Sequence, residues 1–360
     1  MKILYAIQGT GNGHVSRARD IIPILKKDHE VDILISGSQA DVSLPYPVKY
    51  TCTGLGFIFG KKGGIDILDT FRKNNLKAFF KEINALPMQD YDLVINDFEP
   101  VSAWACHQKN KPCIGLSHQA AVLNKLVPQP KKTDVIGKAI LKKYAPVTAR
   151  YGFHFKAYDD HIFTPVIRQQ VRDQPLENKA HYTVYLPAYD DDRILKVLLK
   201  CKHKRWQVFS KHNKKAYTKK HISIQPIDNE AFVKSMATSS GVLCGAGFET
   251  PAEALFMKKK LLVIPMEGQY EQQCNAAALK AMGIPVLKKL KKKYIDKIDA
   301  WVESGAIIDV DYPDNTAEIL DKILLAHTPG KDNLPLQVGR KLSSVKEFRT
   351  HVLQKIAANL

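Results

Sequence analysis

GVLCGAGFETPAEALFMKKKLLVIPMEGQYEQQCNAAAL, residues 241–279, is the stretch on which the reading of this chain turns. An apolar, strand-like run breaks at Gly245-Ala246-Gly247, and FETPAEAL (248–255) then opens a helix. Proline at 251 suits a first helical turn, and the unbonded N–H groups of such a turn face an anion. Glu253, three residues after Thr250, is spaced to accept both hydroxyls of a ribose. The next strand, LLVIP (261–265), leads into EGQYEQQ (267–273), whose carboxylates and amides suit a sugar. Phosphate site, ribose carboxylate and sugar-binding groups in this order fit the rule that ligands of α/β sheets sit in the crevice beyond the strand ends.

The rest of the chain has the same rhythm. In the second half YTVYLP (182–187), WQVFS (206–210), ISIQP (222–226) and KLLVIP (260–265) read as further strands with helices between them. In the first half KILYAI (2–7), VDILIS (31–36), YDLVIND (91–97) and PCIGLS (112–117) alternate with a helical pattern running from Val15 through Leu25 and another near 100–109. Strand, helix, strand at this pace means βαβ units and parallel sheets. The segment 159–175, with two prolines and no period, is the expected domain boundary. The expectation is an α/β protein of two Rossmann-like domains facing a cleft, 1–165 and 166–338. Segment 54–80 reads as a mobile loop followed by a helix with an apolar partner. SSVKEFRTHVLQKIAANL (343–360) has a capping-box spacing, Ser344 to Glu347, and an apolar face of Val345, Phe348, Val352 and Ile356.

GTGNGHVSRA (9–18) sits where the first strand hands over to the first helix. Its spacing, Gly9-x-Gly11-x-Gly13, departs from the dinucleotide fingerprint G-x-G-x-x-G, and the second strand ends in Ser and Gly where ribose recognition wants an acid. A nicotinamide enzyme is therefore a poor fit. Gly11 and Gly13 instead shape an acceptor-side turn, and His14 at a helix start is placed to take a proton from a substrate hydroxyl. The competing role for His14 is structural, within the loop. NDFEP (96–100) ends the strand YDLVI; with the first and this strand as parallel neighbours, Asp97 and Glu99 are expected to point into the same cleft as His14, one of them orienting it and raising its basicity, the alternative being a turn or helix cap ahead of Pro100. His118, ending the next strand, is a further acceptor-side candidate, and Lys211 one for neutralising a diphosphate.

The 241–279 pattern resembles the donor site of GT-B glycosyltransferases, in particular family 28, which includes the peptidoglycan N-acetylglucosaminyl transferase and diacylglycerol glycosyltransferases. That family's glycines, Thr-x-x-Glu, Pro and acid/amide-Gln-x-x-Asn-Ala are matched by Gly245/Gly247, Thr250-Pro-Ala-Glu253, Pro265 and Glu271-Gln272-Gln-Cys-Asn275-Ala276. Its Gly-x-Gly-Gly-His is matched less closely by Gly11-Asn12-Gly13-His14; a related branch with Gly-x-Gly-x-Gly-His followed by Arg-Ala fits better. The resemblance implies that Gly247 and Thr250 line the diphosphate, Glu253 binds the uridine ribose, and Glu271 and Gln272 bind the donor sugar. It also implies a last helix, 339–360, that returns to the first domain.

Lys and Arg outnumber Asp and Glu by 54 to 36, giving a net charge of +18. Residues 200–220 carry nine Lys/Arg and no acid, and KKK (258–260) and KKLKKK (288–293) add two clusters. Such a field attracts polyanions or an anionic membrane surface, or is simply a solvated basic exterior. No nucleic-acid motif accompanies it, so no nucleic-acid partner is expected. The six cysteines lack metal spacing and read as reduced thiols of a cytoplasmic protein, with no run long enough to span a membrane. The expected activity is metal-independent sugar transfer from a nucleotide donor, UDP-linked, to an acceptor hydroxyl of lipid or cell-envelope type, with no cofactor beyond the donor. A nucleotide-sugar epimerase of the same fold and a non-catalytic nucleotide- or polyanion-binding protein are the alternatives.

Overall fold

A computed structural model describes residues 1–37, 44–55, 75–131, 134–201, 204–304 and 306–328. The chain divides into two units. The first is Met1–Val127, Lys132–Val166 and Asp314–Leu360; the second is Pro128–Lys131 and Ile167–Pro313.

The first unit is built on β1 (Lys2–Gln8), whose residues from Ile3 onward are all buried. A strand covered on both faces reads as a continuous apolar run, which is why KILYAI shows no alternation. With β2 (Glu30–Ser36), β3 (Tyr50–Cys52), β4 (Leu93–Asp97), β5 (Ile114–Leu116), β6 (Ala149–Phe153) and β7 (Ile162–Phe163) it forms a parallel sheet of order β3-β2-β1-β4-β5-β6-β7. The order reverses between β1 and β4, so the C-terminal ends of these two strands flank the crevice where α/β sheets bind ligands. Helices α1 (Asn12–Asp28), α2 (Leu76–Ala85), α3 (Pro100–Lys109), α4 (His118–Val122) and α5 (Val135–Tyr144) accompany it. Helix α1 starts three residues earlier than its apolar pattern suggests, because Gly11, at φ +98°, turns the chain directly off β1. Gly9 allows a close approach, since a Cβ there would lie 2.8 Å from Ile35 Cγ2 and 2.9 Å from the Ser36 carbonyl. The helix expected late in 54–80 is α2, capped by Asn75 and packing Phe79 and Ile83 against Trp104 and Met88.

The second unit repeats the plan. Strands β8 (His181–Tyr185), β9 (Arg205–Ser210), β10 (Tyr217–Lys219), β11 (Ile222–Pro226), β12 (Gly241–Gly245) and β13 (Lys260–Ile264) run in the order β10-β11-β9-β8-β12-β13. All neighbours are parallel except β10 with β11. The switch point here lies between β8 and β12. Helices α6 (Gln169–Arg172), α7 (Asp191–Leu198), α8 (Asn229–Thr238), α9 (Glu249–Phe256), α10 (Tyr270–Ala281) and α11 (Ile295–Ser304) accompany the sheet. Tyr182 packs against Trp206 and against Trp301 in its core, with centroids 5.2 Å apart in each pair.

Part of the basic sequence has a structural use. Strand β10 is an exposed edge, and lysines there discourage pairing with another chain. Lys259 is buried and donates to the Glu177 carbonyl, while Lys260 donates to that of Val302. After Pro313 the chain rejoins the first unit as α12 (Thr316–Ala326), which meets α1; Tyr151 and His327 are hydrogen-bonded just beyond it. Residues 314–328 thus pack with the first unit, ahead of the expected return at 339. The expected loop over 57–74 and the expected closing helix, 339–360, lie outside the described residues. Among the described residues no helix is long and apolar enough to cross a membrane.

Candidate functional site

In the first unit the chemistry gathers at the switch point. His14, in the first turn of α1, places Nδ1 2.7 Å from Asp97 Oδ1 at the end of β4. Arg17, one helical turn on, sets its Nη2 2.8 Å from each Asp97 oxygen and 3.2 Å from His14 Nδ1. Residues three apart share a helix face, so the spacing His14-x-x-Arg17 puts both groups on one carboxylate. Asp97 is fully buried, Arg17 is 2% exposed and His14 13% exposed, so only the histidine reaches solvent. Burial by itself raises the Asp97 carboxyl, but the Arg17 guanidinium and then His14 outweigh it and hold it below the ordinary carboxylate range. An ionised Asp97 only accepts hydrogen bonds, so His14 Nδ1 carries the proton and donates it. In the neutral ring the lone pair is then on Nε2, which faces the Gln119 side-chain amide on α4 at 3.3 Å.

Phe98 has φ +58°, in the left-handed region that bulky side chains avoid. Its ring stacks on His14 at 6.4 Å and tilts against Tyr144 at 4.9 Å. This kink separates the two acids of NDFEP. Asp97 turns to His14, whereas Glu99 caps α3, accepting from the Val101 and Ser102 amides at 2.6 Å each, with Pro100 as the first helical residue. Glu99 is completely buried, and that burial pushes its carboxyl up despite these bonds. The expectation that it faces His14 is therefore corrected: its oxygens are spent on a helix terminus. His118 is corrected likewise. Its Nδ1 lies 2.8 Å from the Phe153 carbonyl, its ring rests against His154, and it is 2% exposed.

In the second unit the 241–279 motif closes on itself. The Asn275 amide donates to the Ala246 carbonyl at 3.1 Å, and Gln272 Oε1 accepts from the Met266 amide at 2.9 Å. These bonds fix the Gly245–Gly247 turn against α10. A Cβ built on Gly247 meets nothing within 4 Å, so the space beyond the turn is open, and α9 starts there without a side-chain cap. Thr250 and Glu271 are half-buried. Lys211 is exposed just after β9, two strands, or roughly 10 Å, from β12 at the same end of the sheet. Glu253 already has a partner in the fold. It is 2% exposed, and both oxygens accept from Arg168, at 2.6 Å from Nε and 2.9 Å from Nη2. Arg168 also donates to Asn229 Oδ1 at 2.9 Å. A ribose must share the remaining acceptor capacity of this carboxylate or displace the arginine. Among the described residues no three His, Cys, Asp or Glu side chains cluster as a metal site.

The sequence profile of glycosyl transferase family 1 matches residues 1–303. The chain belongs to that family. No curated protein matches this glycosyltransferase in sequence. Its structure is similar to that of the glycotransferase of kitacinnamycin, with TM-score 0.55 and 13% identity over 92% of this chain and 96% of that one. It is similar also to MurG of Acinetobacter baumannii (0.53, 13%, 90% and 99%). A third neighbour is the Streptomyces glycosyltransferase SsfS6 complexed with thymidine diphosphate (0.52, 14%, 91% and 100%). The fold is accordingly GT-B, built from two Rossmann-like units.

Within this glycosyltransferase, His14 and Asp97 are brought together as read, and Gly245, Gly247, Thr250, Glu271 and Gln272 lie on one strand-turn-helix system and the helix that follows. Three residues went unassigned in the sequence. Arg17 was signalled by its spacing from His14. Gln119 adjoins the residue singled out in its place, and Arg168 lies in a linker whose lack of period gives no sign of a partner at 253.

Proposed function

We propose that the first unit activates an acceptor hydroxyl and the second holds a nucleoside diphosphate sugar, UDP-linked, so that the chain transfers the sugar to the acceptor. The observation that carries this reading is the His14 Nδ1–Asp97 hydrogen bond, which leaves Nε2 as the basic nitrogen of a ring that, unlike Asp97 and Arg17, reaches solvent. In the reaction Nε2 takes the acceptor proton, and Asp97 stabilises the imidazolium that forms, a general-base contribution typically worth 10²–10⁴-fold.

On the donor side the open space at Gly247 and the start of α9, which has no side-chain cap, suit a diphosphate. Thr250 lines it, and the leaving charge is met by backbone amides and Lys211 in place of a metal ion. Glu253 recognises the ribose while retaining part of its contact with Arg168, and Glu271 and Gln272 recognise the sugar. No cofactor besides the donor takes part. The acceptor is a lipid or envelope-type hydroxyl, and the lysine clusters at 200–220 and 288–293 dock the protein reversibly on an anionic membrane surface.

The test is a panel of UDP- and TDP-sugars offered with and without membrane extract. Acceptor-dependent transfer is expected, and product formed without any acceptor would instead indicate epimerisation or hydrolysis. Calorimetry with UDP completes it. Glu253→Gln should weaken binding by ~1.5–3 kcal/mol, the value of a lost charge-assisted hydrogen bond. Unchanged affinity would remove Glu253 from the ribose site.

A further inference from the structure

We infer that Arg17 is a positioning residue for the transfer reaction: through Asp97 it holds His14 in the Nδ1–H tautomer and keeps Nε2 as the proton acceptor. This rests on the reading of His14 as the base.

Asp97 Oδ1 accepts from both His14 Nδ1 and Arg17 Nη2, while Oδ2 is also within 2.8 Å of the guanidinium. With both oxygens held, the carboxylate cannot swing away or take up a proton, and a fixed anion determines which imidazole nitrogen carries hydrogen. Arg17 has its own support. Its guanidinium lies 5.6 Å from the centroid of the Phe153 ring on β6. Among the described residues, the groups recorded against His14 are Arg17 on its own helix, Asp97 and Phe98 at the end of β4, and the Gln119 amide on α4. Glu99 is turned into its cap, and His118 into the Phe153 carbonyl. Arg17 and Asp97 are thus the charged pair beside the ring, and they balance before any proton arrives. The arginine thereby settles both the tautomer and the charge against which His14 is protonated.

The experiment is ¹⁵N-histidine NMR of the full chain across pH 5–9, with the His14 resonances assigned by their loss in His14→Gln. In the wild type the neutral ring should show Nδ1 protonated and Nε2 bare; an Nε2–H ring would overturn the inference without any variant. Arg17→Lys keeps the charge but loses the rigid, planar guanidinium whose Nη2 reaches both Asp97 oxygens, and should yield a mixture of tautomers with the midpoint little moved. Arg17→Gln removes the balancing charge and should raise the His14 midpoint by about one pH unit, as expected beside an uncompensated carboxylate. In parallel the acid limb of the kcat profile should move up, with the KM for donor unchanged. A residue that only stabilised the fold would leave tautomer, midpoint and pH profile alone, and that result would overturn the inference. If the chain transfers no sugar while the NMR results hold, the functional reading fails and the role of Arg17 in holding His14 stands.

Discussion

A double-mutant cycle on Arg17 and Asp97 probes the physical basis of the site. Both side chains are at most 2% exposed, so each charge has exchanged water for the other. Removing one partner of a buried pair strands the other and costs about 3–5 kcal/mol, whereas removing both leaves no uncompensated charge. Asp97→Asn keeps the shape and one acceptor oxygen, and Arg17→Met keeps the apolar stem against Phe153. Each alone should therefore destabilise the first unit by about 3–4 kcal/mol. If the two were independent, their costs would add to about 6–8 kcal/mol; with the pair coupled, the double variant should lose no more than about 4. A chain of two units need not unfold in one step, so the assay is native-state hydrogen exchange of the β1 and β4 amides, which reports the opening of this unit. Additivity within about 0.5 kcal/mol would refute the claim that these two charges stabilise each other.

The other expectations are more direct. His14→Ala should lower kcat by about 10²–10⁴-fold while UDP affinity stays within a few-fold, measured by steady-state kinetics and calorimetry; near-normal turnover would return His14 to a structural role. Glu99→Ala should cost about 1–2 kcal/mol through the loss of the α3 cap but leave kcat within a few-fold at temperatures where the variant is folded; a hundredfold loss would show that Glu99 takes part in the chemistry. Stability should also vary with pH in opposite senses for the two acids. The depressed Asp97 carboxyl contributes stability present above its unfolded value of ~3.9 and lost as pH falls through its lower folded value. The raised Glu99 carboxyl contributes most below its unfolded value of ~4.3, and its contribution fades as pH rises through the folded value. Exchange of β4 amides in wild type, Asp97→Asn and Glu99→Ala across pH 3–8 checks both signs. Sedimentation with anionic vesicles should fall steeply with added salt, and indifference at low salt would leave the lysines as a solvated exterior.

The sequence by itself determined the rhythm of the fold and the strand-to-helix handovers that carry the candidate residues. Buried parallel strands have to be apolar throughout, so KILYAI, YDLVIND and GVLCG announce themselves, and glycines mark where each strand hands over to a helix. His14 and the 241–279 motif sit at such handovers, which is why chemistry could be assigned to them from composition and spacing. Short edge pieces were not legible: β3 and β10 have three residues each, and β7 two, too few to show a period.

Tertiary structure decided which groups meet. In a regular strand Asp97 and Glu99, two residues apart, would point the same way. One left-handed residue, Phe98, breaks the alternation, giving Asp97 to the histidine and Glu99 to a helix terminus. Arg17 was within reach of local reasoning because helix geometry couples residues three apart. The partner of Glu253 was not. Arg168 lies 85 residues earlier in the chain, in a segment without a pattern, and a salt bridge across that separation is set by how strands and helices stack rather than by any local signal. Periodicity reports which side of an element is buried; only the packed fold reports what lies on the other side.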